Sequence, residues 1–124
     1  MSKRILLVDN SKQFRANLKR FLRIDPDLEV IAEAQGGEEA CALADEHKPD
    51  LVLMDLKMGA MDGIEATRRI KNANPQTQII VLTVYDEDLY RSDAAAAGAA
   101  DYILKEEIPD NLLRSIKSIL SIKD

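Results

Sequence analysis

Four short apolar runs in this chain each stop at a polar residue, and the residue types at those stops are suited to phosphorus chemistry. Ile5-Leu6-Leu7-Val8 stops at Asp9-Asn10, Leu51-Val52-Leu53-Met54 at Asp55, Ile79-Ile80-Val81-Leu82 at Thr83, and Tyr102-Ile103-Leu104 at Lys105. Asp9, Asn10 and Asp55 offer oxygen ligands for Mg²⁺, a hard ion that prefers carboxylates and keeps several waters. An aspartate carboxylate can also attack phosphorus and form an aspartyl phosphate, provided that a metal and a lysine neutralise the transferred oxygens. Asp55, Lys105 and Thr83 meet those needs as nucleophile, cation and hydroxyl. Singly, each has a bland reading: Asp9 and Asp55 as helix caps, Lys105 as a solvated lysine, Thr83 as a β-branched strand end. The coincidence of several such residues at run ends is what argues for a site.

A site of this kind requires the runs to be parallel strands whose carboxyl ends share one sheet edge. The intervening segments fit that requirement, since apolar runs alternate with amphipathic stretches in five βα units. Phe14, Leu18, Phe21 and Leu22 share one face of a helix expected from Ser11 to Ile24, which Asp25-Pro26-Asp27 breaks. Glu29 to Ala34 reads as a strand, Gly36-Gly37 as a turn, and Glu38 to His47 as a helix blocked by Pro49. A loop from Lys57 to Gly63 leads into a helix through Ile64, Thr67 and Ile70 that ends at Asn74-Pro75. Asp86 to Ala97 is expected to be helical with Gly98 as its cap, Ala100 to Leu104 to be a strand, and Pro109 to open a last helix. Leu112, Leu113, Ile116, Ile119 and Leu120 form the buried stripe of that helix.

With 124 residues and 46% hydrophobic content, the chain suffices for one core and is too short for two ordinary domains. A net charge of −5 and a pI near 4.9, with no basic block, argue against a nucleic-acid surface. The single cysteine, Cys41, lies among small apolar residues and reads as packing in a reducing compartment. No run is long enough to cross a bilayer and no leader is evident, so a cytoplasmic location is expected. His47, near a helix end, reads as a surface residue more than as a phosphorelay donor.

From about Lys3 to Ile122 the chain resembles the receiver domain of bacterial two-component response regulators. The residues that carry the resemblance are Ile5 to Asp9, Asp50 to Asp55, Met61-Asp62-Gly63, Leu82-Thr83, and Gly98 to Lys105, in that order and spacing. It implies a flavodoxin-like, doubly wound α/β fold with five parallel strands in the order 2-1-3-4-5, five helices, and one receiver domain over 1–124 without an effector domain. Asp55 would accept a phosphoryl group from a sensor histidine kinase, and Lys105 would contact that group. Asp9, Asn10, Asp55 and the main-chain carbonyl of Lys57 would organise Mg²⁺. Thr83 and Tyr102 would act as the switch, altering a surface of the fourth helix, last strand and fifth helix through which a homodimer is possible. No enzymatic role beyond autocatalytic phosphoryl transfer and hydrolysis is implied. Kinase choice would rest on exposed first-helix residues such as Lys12, Arg15, Lys19 and Arg20.

The departures from the family pattern carry expectations of their own. Asn10 stands where a second acidic residue is usual, which removes one negative charge from the pocket and should weaken metal binding without abolishing it. Gly59 replaces a common proline, so the loop after Asp55 should be more flexible, and Glu106 replaces a proline that often carries a cis bond. Lys57 and Tyr85, two residues after Asp55 and Thr83, flank the path of the hydrolytic water in the family. A long cation and a ring there should slow self-dephosphorylation. Thr83-Val84-Tyr85-Asp86 and Glu106 are closest to the LuxR/FixJ-type DNA-binding response regulators, in which a separate C-terminal effector domain binds DNA. The alternative is a stand-alone or degenerate receiver that acts as a phosphorylation-independent interaction module. A phosphatase of the haloacid dehalogenase type is disfavoured, because its second aspartate would fall at Lys57.

Overall fold

The computed structural model describes residues 2–58 and 61–122. Strands β1 (Lys3–Val8), β2 (Leu28–Ala34), β3 (Leu51–Met54), β4 (Gln78–Thr83) and β5 (Asp101–Leu104) form one parallel sheet in the order β2-β1-β3-β4-β5. Helices α1 (Lys12–Leu22), α2 (Gly37–His47), α3 (Gly63–Ala73), α4 (Asp88–Ala97) and α5 (Leu113–Leu120) cover its two faces. This is the doubly wound α/β topology expected from the alternating runs.

Period-two alternation along buried strands sorts the core into layers on opposite faces. Ile5, Leu7, Leu51, Leu53, Ile80 and Leu82 pack with Leu18 and Leu22 of α1 and Ile116 of α5. Leu6, Val8, Val52, Met54 and Ile79 point the other way, toward Ala40 and Ala44 of α2 and Ala66 and Ile70 of α3. Helix α4 is seated more lightly, with Ala94 against Leu56 and Val81 and with Tyr85, Tyr90 and Tyr102 around them. Half-buried Cys41 of α2 packs against this second layer, and burial pushes its thiol pKa up, which suits packing better than nucleophilic chemistry.

Most element boundaries fall within two residues of expectation. Helix α1 stops at Leu22 because the Arg23 N–H bonds the Phe21 carbonyl in a tightened last turn, which leaves Ile24 exposed instead of helical. Helix α4 begins at Asp88, so Asp86 and Glu87 belong to the loop. The final helix differs more. A 3₁₀ turn over Lys105–Glu107 and a wider π turn over Ile108–Leu112 precede α5, with Pro109 in the first turn of the π segment. The Glu107 carboxylate accepts the Leu104 N–H at 3.0 Å, giving the chain leaving β5 an immediate turn. Within the expected stripe, Leu112 and Ile116 are fully buried, whereas Leu113, Ile119 and Leu120 are partly covered. No cis peptide occurs among the described residues, in line with Glu106 in place of proline. The expectation at Gly59 lies outside the described residues.

Two glycines set the site's surroundings. Gly98 caps α4 with φ of +110°, a left-handed conformation open to glycine at little cost. Gly63 is needed for a different reason: a Cβ there would stand 2.0 Å from the Asp55 carbonyl oxygen. The Gly63 N–H donates to the Leu56 carbonyl at 2.6 Å, folding the loop back onto the end of β3 before Asp62 caps α3.

Candidate functional site

Parallel register brings the polar stops together. Val8 pairs with Met54, so Asp9 and Asp55 leave adjacent strands at one level, and the Asp55 N–H still donates to the Val8 carbonyl at 2.9 Å. Thr83 ends β4 opposite Leu104, and Lys105 follows directly. Asp9, Asp55 and Thr83 are all buried.

The Lys105 ammonium donates to Asp9 Oδ2 at 2.7 Å and stands 3.8 Å from Asp55 Oδ1, while the Phe14 ring centroid lies 4.0 Å from the same nitrogen. Asp9 Oδ1 accepts the Ser11 N–H at 2.8 Å, which leaves Asp9 held from two sides. Asp55 is less well compensated. Burial first, and then the Asp9 charge, raise its carboxyl pKa to about 6, against the opposing pull of Lys105. An acid so raised is still mostly ionised at neutral pH and favours a second positive charge beside it. The buried carboxylates of Asp9 and Asp55, with the amide of exposed Asn10 next to Asp9 in sequence, are hard oxygen donors of the type that suits Mg²⁺.

Beneath Asp9 lies a contact that sequence reading placed wrongly. Arg15 does not belong to the exposed face of α1: it is buried, its Nη1 donates to the Asp9 carbonyl at 2.5 Å, and its Nε pairs with Glu33 at 2.9 Å. Lys19 also reaches Glu33, at 3.1 Å. Burial pushes the Glu33 pKa up, but these two cations outweigh it and hold the carboxyl below its ordinary range.

On the far side, the Thr83 hydroxyl accepts the Tyr85 N–H at 3.2 Å, and the Tyr102 hydroxyl donates to the Tyr85 carbonyl at 2.6 Å. Arg91 lies over the Tyr102 ring, 4.7 Å from its centroid, and ion-pairs with Asp86 at 2.7 Å. Exposed Lys57 directs its ammonium at Tyr85 and Tyr90, 5.3 and 4.9 Å from their centroids.

A sequence model of the response regulator receiver domain matches residues 5–117. The chain belongs to that family. The receiver is 44% identical over 105 residues to the response regulator protein VraR of Staphylococcus aureus, covering 85% of this chain and 50% of that protein. It is 35% identical over 115 residues to the transcriptional regulatory protein DegU of Brevibacillus brevis, covering 93% and 49%. The receiver thus spans about half the length of the curated relatives it matches. A LuxR-family two-component response regulator from Aurantimonas sp. SI85-9A1 superposes with a TM-score of 0.93 at 35% identity, over 98% of this chain and 86% of that one. These relatives bear out the LuxR-type relation.

Of the residues singled out in the sequence, Asp9, Asp55 and Lys105 meet directly, Thr83 and Tyr102 meet through the Tyr85 backbone, and Lys57 meets Tyr85. Sequence reading missed Phe14, Tyr90 and Arg91. Phe14 carries the helical signal of a core residue, and Tyr90 and Arg91 lie on α4, whose approach to the strand ends no local pattern encodes. No helix among the described residues is long and apolar enough to cross a membrane.

Proposed function

We propose that this receiver is a phosphoacceptor, taking a phosphoryl group from a histidine kinase onto Asp55 and relaying its arrival to a transcriptional output. The observation that carries this reading is the Lys105 ammonium lying between the carboxylates of Asp9 and Asp55 at the shared sheet edge. Asp9, Asn10, Asp55 and the Lys57 carbonyl would hold Mg²⁺, which supplies charge neutralisation to the phosphoryl oxygens when bound. Ionised Asp55 attacks phosphorus in line with the leaving group, and the leaving group takes the bond's electron pair. Lys105 need move only a short way, from Asp9 toward Asp55, to follow the new charge. The buried Thr83 hydroxyl turns from the Tyr85 N–H toward a phosphoryl oxygen, which frees the Tyr85 backbone and with it the hydrogen bond that fixes Tyr102. Chemistry at the strand ends thereby reaches a groove of about 610 Å³ that includes Arg91, Tyr102, Asn111 and Arg114. That face is the proposed switching and homodimer surface.

Supporting the transcriptional output are these longer relatives, one of them a transcriptional regulatory protein. DNA contact would belong to an effector domain outside this receiver, whose own net charge of −5 is unsuited to it. A cytoplasmic setting accords with a lone thiol free of disulfide bonding.

Intact mass after incubation with acetyl phosphate and Mg²⁺ tests the reading. A phosphate-sized adduct on the native chain and none on Asp55→Asn is expected. No adduct on the native chain, with Asn10→Asp restoring it, would instead favour a degenerate receiver, because the departure at Asn10 removes one acidic ligand.

A further inference from the structure

Lys57, Tyr85 and Tyr90 form a cluster of three side chains in mutual contact. Lys57 is exposed on the loop after β3, and the side chain of Tyr90 is its hydrogen-bonding partner as well as a ring beneath its ammonium. Its ammonium stands over two rings, Tyr85 and Tyr90, whose centroids are 5.7 Å apart at an interplanar angle of 67°, an edge-to-face pair. Of the three, Tyr90 has the firmest mount. It sits in the first turn of α4, its N–H bonds the Glu87 carbonyl at 3.1 Å, and its half-buried ring packs with Leu56, Val81 and Ala94. The Tyr85 backbone is fixed by Thr83 and Tyr102, and its ring leans on Tyr90 and the Leu56, Val81 and Ala94 cluster.

We infer that Tyr90 is a positioning residue for the lifetime of the phosphorylated state, holding Lys57 and Tyr85 together as a cover across the route by which water reaches phosphorylated Asp55. The inference rests on the proposed phosphorylation of Asp55 and on obstruction of the water by Lys57 and Tyr85. In the step concerned, a water oxygen bonds to phosphorus as the bond from phosphorus to the Asp55 oxygen breaks. The electron pair stays on the carboxylate, and the water's proton leaves with inorganic phosphate or to solvent. Tyr90 touches none of these atoms. It acts because an unanchored lysine samples many rotamers, most of which leave the approach to phosphorus open, whereas two ring faces restrict it to few.

The test is the rate of phosphate release from the chain labelled with acetyl phosphate and freed of donor, compared among native, Lys57→Ala, Tyr90→Leu, Tyr90→Phe and Lys57→Ala/Tyr90→Leu forms. Loss of the ring should speed release about two- to fivefold, the range expected for an exposed cation–ring contact. Tyr90→Phe keeps the ring but loses the hydroxyl that bonds Lys57, so its rate should fall between native and Tyr90→Leu, and Tyr90→Leu should add nothing once Lys57 is alanine. A purely structural role would accelerate release equally in both backgrounds, and that result would overturn the inference. So would an unchanged rate in Tyr90→Leu when Lys57→Ala is fast. If Lys57→Ala itself releases phosphate at the native rate, the obstruction reading fails and this inference with it, while an unlabelled native chain would place the failure earlier, at phosphorylation.

Discussion

At the scale of single residues, the site is a set of charges held against their solvation. Asp55 is ionised at neutral pH in a place where burial and Asp9 both oppose that charge, so its pKa of about 6 exceeds the ordinary value of 3.8. A carboxyl whose folded-state pKa is the higher one destabilises the fold wherever it is ionised. The penalty is absent below 3.8, grows through the interval to about 6, and is complete above it. The metal-free chain should therefore gain from Asp55→Asn at pH 7.5, by roughly 1–2 kcal/mol after allowance for solvent screening, with the gain shrinking toward pH 4. Urea melts of both forms at the two pH values check this, and Mg²⁺ should favour the native chain selectively. Arg15 makes the opposite prediction. Removing its guanidinium in Arg15→Met leaves Glu33 with one cation fewer and the Asp9 carbonyl without its donor, at a cost of about 1–3 kcal/mol in the same melts. An exposed kinase-contact residue would show almost no loss, so the melt separates a role beneath Asp9 from a role on the surface of α1.

Elements matter here mainly through how closely they approach one another. The turn from β3 into α3 brings backbone so near the Asp55 carbonyl that only a hydrogen fits at position 63. Gly63→Ala should displace this loop, costing roughly 1–3 kcal/mol in thermal or urea unfolding and reducing acetyl phosphate labelling together with it, since the Lys57 carbonyl lies on the same loop. Helix α5 presents an independent case. Ile116 is fully buried against the face shared with α1, and truncation in Ile116→Ala should cost about 2–5 kcal/mol while leaving the labelling chemistry of the folded fraction intact. The contrast separates an element that shapes the pocket from one whose buried side packs on the sheet away from it.

For the molecule as a whole, the proposed function requires transmission from the sheet edge to the face of α4, β5 and α5. The hydrogen bonds from Tyr85 to Thr83 and from Tyr102 to Tyr85 give the shortest connected route. Tyr102→Phe removes the second of them, at about 1 kcal/mol of stability, and should uncouple labelling from any change in hydrogen exchange over 85–104, while the amount of label stays near native. Retained exchange changes in Tyr102→Phe would assign the transmission to another path. Much of this architecture was legible in the chain itself, because short apolar runs and helical periodicity report burial residue by residue. The polar stops marked the candidate site's edge for the same reason: a buried strand of Leu, Val and Ile can end in Asp, Thr or Lys only where it emerges. Sequence thus determined the βα order and the shared sheet edge on which Asp9, Asp55, Thr83 and Lys105 lie. The tertiary structure alone decided which charges pair. Lys105 reaches Asp9 across 96 residues, Arg15 turns inward to the Asp9 carbonyl, and Lys57 comes over the ring of Tyr90 on α4. Such contacts depend on helix placement over a twisted sheet, to which many weak packing contacts contribute together, and no local spacing records their sum.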